Sequence, residues 1–433
     1  MKATSLRIDH ETESCHSPRM RILILTQFFD PEPASIPGMP LATWLAQKGH
    51  DVQVLTGFPN YPGGHFYPSV PVRIWRREVI DGIRISRVIL YPSHDQSAFR
   101  RIMNYCSFAV SASVLGTLLT TKPDVVYVYH PPATAGMPAL LWKKLRGIPF
   151  VFHVQDLWPE SVVESGMAGN GRLNRLIARG ISWWCRRIYS GASYVVTLSS
   201  GMRDAIINRG VPTEKVVSIP NWVEESIYFP MRRDEAIATE LGMSRRFNVV
   251  YSGNVGFYQE LSTAIYAAEL LSDLPDFQLV IVGGGQADGE IRELTARLKL
   301  ENVLFIGRQP YAEMGAITAI ADVLLVSLVD LPLFEVTIPS KTQVALACGR
   351  PVLMSVKGDA AQLILDASAG FVCTPGDSQG MANAIRKFHS MTVQELSEMG
   401  ERGRLYYESN LSINIGAARL ETLLIQAAMR KKY

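Results

Sequence analysis

The sequence predicts an α/β protein built as two doubly wound domains that face each other across a cleft. Three observations lead there. Short β-branched runs recur along the chain, each followed by a turn signal and a helix-length segment, which is the pattern of a parallel sheet with crossover helices. The runs form two sets of six, each set over about 200 residues, which favours two doubly wound units over one continuous barrel. At roughly 150 residues per domain, 433 residues also leave each unit large enough to bury a core.

Taken in order, the runs of the first half are Arg21 to Thr26, Asp51 to Thr56, Ile83 to Leu90, Asp124 to Tyr129, Pro149 to Val154 and Tyr194 to Leu198. Those of the second half are Asn248 to Ser252, Gln278 to Val282, Val303 to Ile306, Val323 to Ser327, Pro351 to Met354 and Phe371 to Cys373. Each set matches a Rossmann-like domain. Residues 1–19 read as a polar extension, 20–225 as the first domain and 226–405 as the second, with the boundary in the proline-marked stretch Ser218 to Pro230. Residues 406–433 hold a closing helix, because Ile413, Ala417, Leu420, Leu424 and Ala428 are spaced for one apolar face that needs a surface to cover.

Composition removes several classes. With 47% hydrophobic and 19% charged residues the chain is neither disordered nor fibrous. Five scattered cysteines without a Cys-x-x-Cys or a nearby His pair point to a reducing compartment, no disulfide scaffold and no zinc site. The net charge of +3 hides a split: residues 1–225 carry 24 Lys+Arg against 17 Asp+Glu, and residues 226–433 carry 19 against 23. The basic first half therefore suits an anionic partner.

No signal-peptide pattern opens the chain, so a cytoplasmic protein is expected. Ile102 to Thr121 runs 20 residues without a charge, long enough to span a bilayer, but its seven Ser, Thr and Asn side chains favour a buried helix instead. In the segment Arg172 to Tyr189, Arg172, Arg175, Arg179, Arg186 and Arg187 alternate with Leu173, Leu176, Trp183 and Trp184. Two readings fit it: a helix lying in a membrane interface, or an ordinary amphipathic helix whose Trp pair joins the core.

Chemistry concentrates in loops after strands of the second half. Gly253-Asn254-Val255-Gly256-Phe257-Tyr258-Gln259 and Gly283-Gly284-Gly285 allow backbone to approach a phosphate, and two such clusters at one sheet edge favour a nucleotide site. Pro339-Ser340 starts a helix whose first turn holds Lys341, where a cation opposes the helix dipole unless an anion sits nearby. A diphosphate is the natural anion.

The order Ser-Gly-Asn-x-Gly, Val-Gly-Gly-Gly, Pro-Ser-Lys and Ala-Cys-Gly-Arg-Pro-Val over about residues 20–430 resembles the retaining GT-B glycosyltransferases of family four. Within them it is most similar to the WbuB-like amino-sugar transferase group of O-antigen and capsule enzymes. The resemblance implies a nucleotide sugar, usually UDP-linked, on the second domain and an undecaprenyl-diphosphate-linked glycan on the first, at the inner face of the inner membrane. It places Gly253, Asn254, Gly256 and Gln259 at the donor diphosphate, with Lys341 and Ser340 opposite. Gly283, Gly284 and Gly285 come near the nucleoside, Arg308 and Gln309 at the base, and Gly38 in the loop facing the donor. Asp156 would orient a reacting hydroxyl, with His153 or Glu160 on the acceptor side; as a turn cap, Asp156 would have no such role. The implied transfer needs neither metal nor cofactor beyond the UDP-sugar co-substrate.

Two departures from the family pattern stand out. Val344 occupies the position where many relatives have the second Glu of a Glu-seven-residues-Glu motif, which leaves the ribose to Glu335 or Gln343. Asn254 stands where relatives often have Arg, which shifts phosphate neutralisation onto Lys341. Rival classes fare worse. An NAD-dependent oxidoreductase needs Gly-x-Gly-x-x-Gly after its first strand, where this chain has Phe28-Phe29-Asp30-Pro31-Glu32-Pro33. A non-catalytic sugar-binding protein of the periplasm needs a signal peptide, and nucleic-acid binding needs a basic stripe with spaced aromatics outside Arg172 to Tyr189.

Overall fold

The computed structural model describes residues 18–32, 38–93, 98–164, 172–244 and 247–430, so most of the polar extension lies outside it. The first sheet contains β1 (Arg21–Leu25), β2 (Asp51–Gly57), β3 (Trp75–Ile80), β4 (Ile83–Val88), β5 (Val125–Tyr129), β6 (Phe150–His153), β7 (Tyr194–Thr197) and β8 (Val216–Ser218). Its order is β3-β4-β2-β1-β5-β6-β7-β8, parallel except for the antiparallel β3 edge. The second sheet contains β9 (Phe247–Asn254), β10 (Phe277–Gly284), β11 (Val303–Gly307), β12 (Val323–Ser327), β13 (Val352–Ser355) and β14 (Gly370–Val372). Its all-parallel order, β11-β10-β9-β12-β13-β14, is the doubly wound 3-2-1-4-5-6 arrangement.

All twelve expected runs form strands; β3 and β8 are additional. The central strands, such as β1, β5 and β12, read as near-continuous apolar runs because helices cover both faces of each sheet, giving two apolar clusters per domain. The helix Ile413–Met429 leaves the second domain and buries Ala417, Leu420, Leu424 and Ala427 against β1, β5 and their neighbours in the first. Each leucine buried there is worth about 1.5–3 kcal/mol. His50 Nε2 meets Glu421 Oε1 at 2.8 Å, and Trp44 Nε1 donates to Asn414 Oδ1 at 2.9 Å, fixing the helix along its length.

A second seam joins the domains. Asp359 opens the helix Asp359–Ala367 and accepts from Gly201 N at 2.7 Å and Ser200 Oγ at 2.9 Å, so an acid of one domain caps the first turn of Ser200–Ile207 in the other. Ser199 Oγ donates to Val336 O at 2.6 Å.

The uncharged stretch forms the helix Ala98–Leu119, but it is not the buried helix expected. Phe108, Ala109 and Ala112 enter the core, whereas Phe99, Ile102, Met103, Val110, Val114 and Leu118 stay exposed. Only one stripe of this helix finds a partner, and its length and composition would also suit a membrane span. In the helix Arg172–Gly191 the two tryptophans part company. Trp183 is 55% exposed with Arg187 over its ring at 5.6 Å, while Trp184 turns inward and donates to Ala133 O at 3.2 Å. Arg186 and Arg187 are exposed; the side chains of Arg172 and Arg175 lie outside the described residues.

Candidate active site

In an open α/β sheet the ligand crevice lies beyond the carboxyl ends of the strands where the order reverses. Here that point lies between β9 and β12. Gly253 and Gly283, directly paired in register at the ends of β9 and β10, adopt φ of +133° and +138°. A Cβ on Gly283 would overlap Gly253 O, and one on Gly285 would overlap Val255 O, so only glycine lets these turns pack together. Gln259 Oε1 accepts from Gly256 N at 3.0 Å and holds the Gly253–Gly256 loop rather than reaching into the cleft. Asn254 is exposed beside it.

Lys341 rises from the first turn of the helix Ser340–Ala347 toward this loop. Its Nζ stands 5.0 Å from the Tyr251 ring centroid, and burial pulls its pKa down to about 8 with no neighbouring charge contributing. Arg308 lies over Gly284, whose Cβ would come 3.6 Å from Arg308 Nε, and its charge reaches Tyr61 in the opposite domain. Lys341 at Gly253 and Arg308 at Gly284 therefore set two cations beside the paired glycine turns, a charge arrangement suited to a diphosphate.

Other expected donor residues have different surroundings. Gln343 is 2% exposed and, with its amide oriented by the surrounding acceptors, donates to Pro339 O at 2.8 Å; it is occupied by its own helix start. Glu335 ends the helix Pro332–Glu335 with its side chain exposed and its backbone pressed on Gly358. Ser340 is exposed at the helix start, and Gln309 Nε2 donates to Ile306 O at 3.3 Å. Gly38 is buried at the start of the helix Gly38–Gln47, where Met39 N donates to Asp30 Oδ2 at 2.9 Å.

On the first-domain side Asp156 follows β6. It is open to the cleft yet ringed by protein, and this partial desolvation raises its carboxyl to about 6. His153 does not reach the cleft: it is 2% exposed, its Nδ1 shares a 2.6 Å hydrogen bond with Tyr127 Oη, and burial lowers it to about 3, so it supports the strand end as a neutral ring. Glu160 pairs with Arg209 at 2.8 Å at the start of the helix Glu160–Glu164.

Two groups at this edge were not anticipated. Glu32, 3% exposed, accepts N–H bonds from Asn60 at 2.7 Å, Tyr61 at 2.8 Å and Phe29 at 3.2 Å, tying together the loops after β1 and β2. Burial nevertheless lifts it to about 7. His130, lowered to about 3 by burial and then by His153, accepts from Gln155 N at 3.4 Å and stacks edge-on to Trp158 at 5.3 Å. An acid between two prolines directly after the first strand was the available hint for Glu32; nothing local marks His130.

Two family models divide the chain at the same place as the two sheets. The Glycosyl transferase 4-like domain matches residues 39–222, and Glycosyl transferases group 1 matches residues 234–406. The chain belongs to the group 1 and 4-like glycosyltransferases. This glycosyltransferase is 29% identical over 341 residues to the putative colanic acid biosynthesis glycosyl transferase WcaI of Escherichia coli K12, covering 76% of this chain and 82% of that protein. It is 25% identical to the probable glycosyltransferase WbjE of Pseudomonas aeruginosa, covering 75% and 82%. Its two-domain GT-B fold matches the sucrose-phosphate synthase of Thermosynechococcus elongatus with a TM-score of 0.70 at 17% identity, over 95% and 100% of the two chains. Anabaena Alr3699/HepE in complex with UDP-glucose matches with a TM-score of 0.67 at 19% identity, over 94% and 99%.

Proposed function

We propose that this glycosyltransferase moves a sugar, of the N-acetylamino type, from a UDP-sugar to an undecaprenyl-diphosphate-linked glycan in bacterial O-antigen, capsule or exopolysaccharide biosynthesis. The observation that carries the reading is Lys341: a half-buried cation with no counter-charge among the described residues, packed against the positive-φ Gly253 turn at the end of β9, the strand beside the switch point of the second sheet. Similarity to WcaI, a putative colanic acid biosynthesis glycosyl transferase, supports the biological setting, and the HepE complex holds UDP-glucose on the same fold. The amino-sugar specificity rests on the resemblance of the carboxyl-terminal motifs to the WbuB-like group.

In this reading the sugar C1–O bond to the diphosphate breaks while Lys341, Arg308 and the glycine amides take up the developing negative charge. The acceptor hydroxyl forms the new C1–O bond on the same face, with retention and without a metal. Its proton passes to the departing phosphate oxygen, and UDP leaves. Asp156 orients the reacting hydroxyls from the opposite domain. Catalysis takes place at the cytoplasmic face of the inner membrane, where exposed Trp183, Arg186 and Arg187 meet lipid headgroups. Incubating the protein with a panel of UDP-sugars and a lipid diphosphate glycan, and following free UDP, tests the function; absence of UDP release with every sugar donor overturns it.

A further inference from the structure

An apolar cavity of about 260 Å³ lies between the helices Ala98–Leu119 and Arg172–Gly191, with Tyr105 and Trp158 as its floor and Ile102, Val162, Ile181 and Trp184 as its walls. It is smaller than the roughly 300–1,000 Å³ of a site that engulfs a small molecule. It therefore suits one segment of a longer ligand. The floor is shared with the candidate active site. Trp158 is two residues beyond Asp156 and packs on His130 at 5.3 Å and on Tyr105 at 6.2 Å, and the Tyr105 phenol feels the charges of both Arg101 and Asp156.

The chemistry of the lining narrows the occupant. Thr134 Oγ1 donates to Tyr105 O at 3.1 Å and Trp184 Nε1 to Ala133 O at 3.2 Å, so these polar groups are already spent. Arg101, at the rim, differs: its Nε is buried without a hydrogen-bond partner among the described residues. A buried donor left unmade is costly and marks the place of an absent acceptor. A sugar would find too few partners on such walls, and a peptide would strand its own amides. A hydrocarbon chain ending in an anion meets both demands. The outer mouth is apolar as well, with Ile102 and Ile177 in the lining and Phe99, Met103 and Leu176 exposed nearby on the same two helices. Along the first of them the exposed apolar side chains continue through Val110 and Val114 to Leu118, about 28 Å at 1.5 Å per residue.

We infer that this cavity seats the first segment of the isoprenoid chain of a lipid diphosphate acceptor, with Arg101 pairing its diphosphate and the glycan end directed past Trp158 to Asp156. The assignment rests on the lipid-linked acceptor of the proposed function. Two substitutions probe it without touching the donor site. Gly180 lines the cavity and a Cβ there meets nothing within 4 Å, so Gly180→Leu fills space and replaces a poor helix former with a good one. Arg101→Gln removes the cation.

Farnesyl diphosphate and farnesol are titrated into wild type and both variants with UDP saturating the nucleotide site. Wild type should bind farnesyl diphosphate more tightly than farnesol. Gly180→Leu should weaken both by at least about tenfold, and Arg101→Gln should weaken only the diphosphate by about tenfold, the size of one charge-assisted hydrogen bond. Melting temperature and UDP affinity should not move. Equal affinity across the three proteins, or equal affinity of wild type for the two ligands, overturns the assignment. If UDP is released in the presence of lipid acceptor but Gly180→Leu leaves the acceptor KM unchanged, the cavity loses its role and the function stands. If farnesyl diphosphate binds as expected but no UDP-sugar turns over, the function falls and the lipid site stands.

Discussion

A Cβ on Gly253 would stand 2.8 Å from Cε and 3.0 Å from Nζ of Lys341, 88 positions further along the chain. The ammonium is thus packed against the one turn that its charge is suited to serve. Gly253→Ala must both strain a backbone at φ +133° and displace that ammonium. It should cost about 1–3 kcal/mol of stability in denaturant titrations and lower kcat/KM more than donor-independent folding signals imply.

Lys341 carries a desolvation cost that only an anion offsets. Lys341→Met should therefore leave the melting temperature unchanged or raise it, while lowering kcat by about 10²–10³-fold, the range for removing one oxyanion-stabilising donor. A variant that loses stability and retains turnover would assign Lys341 to the fold instead.

The pH profile follows from two perturbed groups. Asp156, raised to about 6, is ionised only above that value, and Lys341, lowered to about 8, is cationic only below it. kcat/KM should describe a bell with limbs near those values, and Asp156→Asn should flatten the acid limb. Binding a diphosphate restores the Lys341 proton, so UDP binding at pH 8–9 should take up protons and its calorimetric enthalpy should vary with buffer. The stability term has the opposite sense to a salt-bridged lysine. Because the folded pKa lies below the usual 10.5, the free protein should gain stability as pH rises from about 8 to 10.5.

The seam between domains is also open to test. Asp359→Ala removes the acceptor for Gly201 N and Ser200 Oγ and should cost about 1 kcal/mol, the value of a helix cap, with a larger effect on domain closure than on either core. Small-angle scattering with and without UDP reads that closure.

Trp183 and Trp184, adjacent in sequence, should behave oppositely. Trp183→Ala should weaken binding to anionic vesicles, in a manner that salt also weakens, and leave stability unchanged. Trp184→Ala should cost about 3 kcal/mol, because its ring fills the space beside Ala133.

The strands were legible in the chain because both faces of each sheet are covered, so the central strands had to be near-continuous apolar runs. β3 escaped notice for the converse reason: Trp75–Ile80 lies at an edge and carries Arg76, Arg77 and Glu78, the mixed signal of a strand covered on few sides. β8 is three residues long, too short for a period to register. The glycine loops and Lys341 were visible as local exceptions, a cation at a helix start and glycines after strands.

Periodicity and loop chemistry, properties of neighbours along the chain, thus sufficed for two doubly wound domains and for the glycine-rich strand ends of the second. Which side of each helix faces protein depends on contacts between distant segments. Folding alone turned Trp184 inward and Trp183 out, left a stripe of Ala98–Leu119 uncovered, buried His153 and Gln343 away from the cleft, and brought the charges of Arg101 and Asp156 to bear on the same Tyr105 phenol. Burial sets both the surface a side chain presents and the charge it holds, and burial is a property of the packed molecule.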